Sequence, residues 1–226
     1  MHRNFSIAID GPSGAGKSTI AKLCAEKLGF LYVDTGAIYR TVGVAAKKAG
    51  LDSKDEPGMT TLLPGIVITM CHDENGLQRM ILNGEDVTED IRLPEISIYA
   101  SDVSAMPAVR SFLLEMQRRL AETNNVIMDG RDIGTVVLPN ADLKIFLTAA
   151  PEERAQRRYD ELLLRGVSTT YEEVLRDIQY RDMNDSMRST SPLRPAEGAE
   201  ILDTTGNTLE QSFDLVCSLI EEKLFQ

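Results

Sequence analysis

Gly11-Pro12-Ser13-Gly14-Ala15-Gly16-Lys17-Ser18-Thr19 is the stretch on which the fold turns. It fits the pattern GxxxxGK[ST], and its flanks fit too. The apolar run Phe5–Ile9 before it has the character of a strand, and Ser18–Leu28 after it that of a helix. Ile20, Leu23, Cys24, Lys27 and Leu28 share one side of that helix, and Gly29 stops it. Glycines at this spacing let successive backbone amides turn inward on a phosphate, and the helix N-terminus adds a positive end. Lys17 is expected to reach the β and γ phosphates of ATP, and the Ser18 hydroxyl to ligate Mg²⁺. The pattern alone does not separate kinases from GTPases, ATPases or regulatory nucleotide binders.

Outward from the loop, strands and helices alternate. Phe30–Val33 is a second strand and Ala37–Ala49 a second helix, stopped by Gly50. In the middle, Ile66–Cys71 and Leu77–Leu82 are joined by Asp73-Glu74-Asn75-Gly76, a hairpin signal, and Asn83-Gly84 offers another turn. This block is expected to be a small antiparallel insert with no helix period. A helix marked by Val109, Phe112, Leu113, Met116 and Leu120 follows, then a strand over Asn125–Met128 ending at Asp129. Leu143–Leu147 is another strand, and Pro151 opens a helix at its first turn. Thr170-Tyr-Glu-Glu173 has the form of a capping box. Glu200–Leu202 is a last strand, and Leu209, Phe213, Val216, Ile220 and Leu224 line a closing helix. The expected fold is α/β: a P-loop-type parallel sheet of about five strands flanked by helices, with the β-rich insert and a helical lid. The domains are expected at 1–62 with 102–226 for the core, its lid at about 151–168, and 63–101 for the insert.

The chain has 226 residues, 42% of them hydrophobic, and a formal net charge of −11. That balance argues against nucleic acid as a partner, so an anion site must be a local cluster of basic groups or backbone amides. Cys24, Cys71 and Cys217 have no paired spacing and suggest neither a disulfide framework nor a zinc site. His2 and His72 give no pattern for histidine-centred catalysis. No apolar run approaches the length that spans a bilayer, and a soluble, cytoplasmic protein without a membrane partner is expected.

Two further features bear on chemistry. Asp129 ends a buried strand beside the loop, where a carboxylate either holds Mg²⁺ through water or makes a local turn. An Asn-Lys-x-Asp segment for reading guanine is absent, which argues against a GTPase. A kinase with a phosphorylated acceptor needs several arginines to bring two phosphates together. The chain has Arg40, Arg110, Arg131, Arg154, Arg157, Arg158, Arg176, Arg181 and Arg188. On spacing alone, Arg154, Arg157 and Arg158 suit a phosphate lid or a solvated face paired with Glu152, Glu153 and Glu161. Arg181, Asp185 and Arg188 equally suit a ligand set or a surface ion-pair ladder.

The order of motifs resolves some of this. Ile9-Asp-Gly-Pro-Ser-Gly-Ala-Gly-Lys17, Asp34-Thr-Gly-Ala-Ile-Tyr-Arg40, Gly130-Arg-Asp-Ile-Gly-Thr-Val-Val137, Lys144-Ile-Phe-Leu147 and Arg181-Asp-x-x-Asp185-x-x-Arg188 occur in sequence. With the sheet-like insert between the second and third, the chain resembles the bacterial cytidylate kinases over nearly its whole length. The resemblance implies that Arg40 and Arg131 hold the acceptor phosphate, and that Thr35 keeps a hydroxyl where the family usually has serine. It also implies that Ser101, Arg110 and Asp132 read cytosine. Cytosine presents an N4 donor beside an N3 acceptor, to which a carboxylate and a cation are complementary. Arg181, Asp185 and Arg188 are implied as sugar and phosphate ligands, and Arg157 as the lid arginine that touches ATP.

The implied reaction is transfer of the terminal phosphoryl group of ATP to CMP or dCMP, with Mg²⁺, in a monomer. Lys17, Arg131, Asp129 and Arg157 are the implied catalytic set. Two alternatives stay open on the residues: a related kinase acting on AMP, UMP, shikimate or dephospho-coenzyme A, and a P-loop regulator with no small acceptor.

Overall fold

The computed structural model describes residues 4–74 and 78–225. His2, the Asn75-Gly76 part of the expected hairpin turn and Leu77 lie outside them.

Five parallel strands form the central sheet: β1 (Ser6–Asp10), β2 (Leu31–Asp34), β6 (Val126–Gly130), β7 (Leu143–Thr148) and β8 (Glu200–Asp203). Their order is β2-β6-β1-β7-β8, with β1 paired to both β6 and β7. The period-two alternation of a strand sorts its side chains between two faces. Ile7, Ile9, Ile127, Ile145 and Leu147 face one layer, with α1 (Lys17–Leu28) and α8 (Leu209–Leu224) supplying Ile20, Cys24, Val216 and Ile220. Ala8, Val33, Val126 and Met128 face the other, against α2 (Thr35–Lys48) and the helices α4 (Pro94–Val103) and α5 (Pro107–Thr123). Each fully buried Ile or Leu contributes about 1.5–3 kcal/mol relative to exposure, so the two layers dominate the favourable side of folding.

The short helix α3 (Glu56–Leu62) leads into a second, antiparallel sheet of β3 (Ile68–His72), β4 (Gln78–Leu82) and β5 (Glu85–Asp86). The hairpin expectation therefore holds for the paired strands. One expectation is corrected: residues 94–101, taken as part of a sheet-like block without helix period, belong to α4, which continues to Val103. Pro94 sits at its first turn, where proline is pre-set for a helix, and Ile96, Ala100 and Val103 bury one side of it. Among the described residues, the small sheet has no separate core. Met80 and Leu82 join the cluster of Ile38, Val42 and Met128.

Helices α6 (Pro151–Leu164) and α7 (Tyr171–Met187) form a hairpin with a separate small core of Ala155, Leu162, Val174 and Ile178. The capping box at Thr170 is present, with Glu173 reaching back to the Thr170 amide. The hairpin thus extends beyond the lid segment expected at about 151–168. Among the described residues, no helix is long and apolar enough to cross a membrane.

Candidate active site

A parallel sheet aims the carboxyl ends of its strands at one edge, and ligands of such folds bind there. Here the ends of β1, β2 and β6 deliver the phosphate loop, Asp34 and Asp129 to one cleft of roughly 930 Å³.

One end of the cleft is the loop between β1 and α1. Gly11 has φ +149°, and a Cβ there would lie 1.9 Å from the Leu147 carbonyl oxygen of β7, so only glycine fits. Gly16 adopts a left-handed conformation at φ 86° and opens α1 without a side-chain cap, which leaves its first amides for a ligand. Lys17 is buried and donates from Nζ to the Pro12 carbonyl at 2.8 Å. Burial, then the Arg131 charge, push its ammonium down to about 7. Such a cation gains most from an arriving anion.

Asp129 lies beside it at the end of β6. Its carboxylate accepts from Ser18 Oγ at 2.8 Å and from Tyr32 Oη at 2.9 Å. Burial, then the nearby Asp34 charge, raise it to about 6. Ser18 and Asp129 therefore offer two hard oxygen groups side by side, the donor chemistry of Mg²⁺ sites that rely on few protein ligands plus phosphate and water.

The other end is assembled from distant segments. Asp34 caps α2 by accepting from the Ala37 amide at 2.8 Å, and its second oxygen takes Arg40 at 2.7 Å. Thr35 donates its hydroxyl to the Asp129 carbonyl at 2.7 Å. Its proton is engaged by the backbone, and only oxygen lone pairs stay available to a ligand. Arg131 donates from Nε to Asp185 at 2.8 Å. Burial acts to raise Asp185, but Arg131, Arg188 and Arg181 outweigh it and hold the carboxyl below its usual range. Arg110 and Asp132 form a buried ion pair, and Arg110 also donates to the Ser104 carbonyl at 3.0 Å and lies over the Tyr39 ring. Arg188 reaches Ser104 Oγ at 3.3 Å. Among the described residues, two buried guanidinium nitrogens of this end have no hydrogen-bond partner, Arg181 Nε and Arg188 Nη2. Burial followed by repulsion from Arg131 lowers Arg181 to about 10, against the opposing charge of Asp185.

All the expected residues from Ser13 to Thr19 line the cleft, as do Thr35, Arg40, Ser101, Arg110, Asp129, Arg131, Asp132, Arg157, Arg181, Asp185 and Arg188. Gly11 and Pro12 shape the loop from behind. The structure gives Arg154, Arg157 and Arg158 different surroundings. Arg154 is a buried clamp, donating to the Ser13 carbonyl at 2.8 Å and pairing with Asp182 at 2.6 Å. Arg157 bonds the Thr204 carbonyl and Glu153, and Arg158 pairs with Glu161, while both face the cleft.

Several contributors were missed from sequence. Gln78 on β4 brackets the Asp34 backbone, accepting from its amide at 2.9 Å and donating to its carbonyl at 3.2 Å. His72 adds a 3.2 Å contact to the Tyr32 carbonyl. These side chains dock the small sheet on the open edge of β2. Asn184 on α7 donates to Ser101 Oγ at 2.8 Å, and Tyr180 donates to Asp102 at 2.6 Å, tying α4 to the hairpin. Asn184 sits inside the Arg181–Arg188 motif and could have been flagged by that position. Gln78 carried no signal.

A phosphate loop ending in Lys17 and Ser18, set at the edge of a five-stranded parallel sheet and facing an arginine cluster across one cleft, defines a P-loop phosphotransferase. Comparisons with known proteins narrow the class. The family model described as "Cytidylate kinase" matches residues 7–222. Cytidylate kinases of Carboxydothermus hydrogenoformans and Pelotomaculum thermopropionicum are 50% and 47% identical, each alignment covering 95% of both chains. A solved structure of an uncharacterised protein from Eubacterium ventriosum is similar in fold alone, with a TM-score of 0.54 at 12% identity over 97% of this chain and 99% of that one. The chain belongs to the cytidylate kinase family.

Proposed function

We propose that the protein transfers the terminal phosphoryl group of ATP to CMP or dCMP, giving ADP and CDP or dCDP by direct in-line displacement. One observation carries this reading: a single cleft holds a main-chain anion cradle with Lys17 at one end and, at the other, Arg40, Arg131 and Arg181, whose buried Nε has no hydrogen-bond partner among the described residues. Two anions bound there would each meet positive charge, which removes the repulsion that otherwise keeps phosphates apart.

In this reading Gly11 to Thr19 hold the ATP phosphates, Lys17 stabilises the charge that shifts onto the leaving group, and Arg157 closes over the donor. Arg40, Arg131 and Arg181 hold the acceptor phosphate, while Asp185 and Arg188 hold its sugar side. Asp132 and Arg110 read cytosine, supported by their mutual ion pair, with Thr35 and Ser101 beside them. The attacking atom is a phosphate oxygen that is largely ionised at neutral pH, so no general base is required. Ser18 and Asp129 would hold Mg²⁺, Asp129 through water. When bound, the ion supplies charge neutralisation at the phosphates.

The small sheet and the adjoining start of α4, residues 63–101, serve as the acceptor-binding insert, and the α6–α7 hairpin as the lid. The separate core of that hairpin supports its moving as a unit and shielding the site from water. Both ends of the cleft come from one chain, which supports a monomer. Three free cysteines support a reducing, cytoplasmic setting. ADP formation from ATP and Mg²⁺, with CMP, dCMP, UMP, AMP and GMP supplied singly, tests the reading. Rapid turnover is expected with CMP and dCMP, weak turnover with UMP and none with the purines. Turnover confined to AMP or GMP would overturn the cytosine assignment, and no acceptor-dependent turnover would overturn the reaction.

A further inference from the structure

We propose that Asp10 is a positioning residue for the adjacent acceptor ligands Arg131 and Asp132, acting through the wide helical turn Ile133–Val137. The inference rests on the reading above, in which that pair binds the acceptor, and it extends the acceptor machinery to a residue outside the cleft.

Asp10 closes β1 immediately before the phosphate loop, and its side chain is buried. Its Oδ1 accepts from the Ile133 amide and Oδ2 from the Gly134 amide, each at 2.7 Å. These are the leading amides of the turn, which have no carbonyl partner within it. The turn itself is wide, with the Leu138 amide bonding the Ile133 carbonyl at 2.7 Å, five residues back. Asp132 is its entry residue, and the Asp132 carbonyl accepts from the Val136 amide at 2.9 Å and the Val137 amide at 3.2 Å. Fixing the turn therefore fixes the backbone that carries Asp132 and, one residue earlier, Arg131.

The opposite end has a matching bracket. Arg118 of α5 donates to the Val137 carbonyl at 3.0 Å and the Val136 carbonyl at 2.8 Å. A carboxylate thus sits on the amide end of the turn and a guanidinium on its carbonyl end, the charge arrangement that aligned peptide dipoles favour. Space is restricted as well. A Cβ at Gly134 would lie 3.1 Å from Ala196 Cβ and 3.3 Å from Asp10 Oδ2. With both brackets in place, Asp132 is delivered to Arg110 already oriented, before any ligand arrives.

The test is calorimetric binding of CMP and, separately, of ATP to wild type, Asp10→Asn and Arg118→Gln. Asparagine keeps the shape of Asp10 but turns an NH₂ group towards a backbone N–H. Loss of a hydrogen bond to a charged group predicts CMP binding about tenfold weaker, with ATP binding within about twofold of wild type. Arg118 is exposed and its replacement leaves the core untouched, so Arg118→Gln is expected to weaken CMP by about threefold and spare ATP. Parallel losses of CMP and ATP affinity would overturn the proposal, because they signal general destabilisation beside the phosphate loop. Unchanged CMP affinity in both variants would overturn it too. Wild type failing to bind CMP would instead overturn the acceptor reading itself, so the two failures are distinguishable.

Discussion

At the donor end of the cleft, nine consecutive residues, Gly11 to Thr19, create an anion cradle mainly from backbone amides, and the side chains add little beyond Lys17 and Ser18. At the acceptor end, the groups facing the cleft come from β2, α2, α4, α5, β6 and α7, and almost all are side chains. The donor end needs glycines and one strand-to-helix junction. The acceptor end needs the whole fold to converge, and it carries its charges as pairs: Arg40 with Asp34, Arg110 with Asp132, Arg131 with Asp185. The fully buried one, Arg110–Asp132, contributes little net stability as a pair but costs several kcal/mol when one partner is removed. The end formed by Gly11 to Thr19 is therefore set largely by one local junction, whereas the opposite end depends on segments distant in sequence.

The strongest way to break this contrast is Lys17→Met. Removing one preorganised charge from a transition state costs about 10²–10³-fold in turnover. The loss is expected with every acceptor, while CMP binding measured calorimetrically stays within about twofold. A comparable fall in CMP affinity would mean that the two ends are not separable.

Next in size is Arg181→Met. Its Nε is buried and unpartnered, and its charge is disfavoured by burial and by Arg131. The expected result is roughly a hundredfold lower kcat/KM for CMP, with unfolding temperature equal to wild type or a few degrees higher. A large drop in stability would show that Arg181 is structural rather than held ready for an anion.

The smallest effect concerns pH. Asp185 has a folded-state pKa below its ordinary value, because three arginines outweigh the effect of burial. The unfolded chain therefore takes up this proton first as pH falls. Asp185 adds stability above the ordinary carboxylate pKa of about 4 and loses it below. Asp10 has the reverse sign: burial raises it to about 6, so stability falls as pH rises from about 4 to about 6 and the cost is complete above that. In urea unfolding, the stability gap between wild type and Asp185→Asn is expected to narrow between about pH 5 and about pH 3. A constant gap would contradict the assignment.

The same contrast explains what was legible in the sequence. Strand, loop and helix at the donor end are contiguous, so spacing alone revealed them. Ile133–Val137 defied such reading because Ile-Gly-Thr-Val-Val has the composition of a strand, yet the Asp10 and Arg118 side chains hold it as a wide turn. Residues 94–101 were misjudged for a related reason: Ile96, Ile98 and Tyr99 are good strand formers, and packing on α2 decides for helix. Arg154 matched a lid arginine by spacing, but only the fold reveals Ser13 and Asp182 within its reach. The residues proposed to bind the acceptor were accessible only through resemblance to a family, since nothing local to Arg110 announces Asp132 as its partner.

The most direct test of the account is the ratio of kcat/KM for CMP over UMP in wild type and in Asp132→Asn. A carboxylate facing cytosine N4 is complementary, whereas uracil presents a carbonyl there and leaves buried groups unpaired. The account predicts a wild-type preference for CMP of about a hundredfold or more, falling by at least tenfold in the variant. An unchanged ratio, with both activities reduced equally, would contradict the assignment of Asp132 and Arg110 as the pair that reads the base.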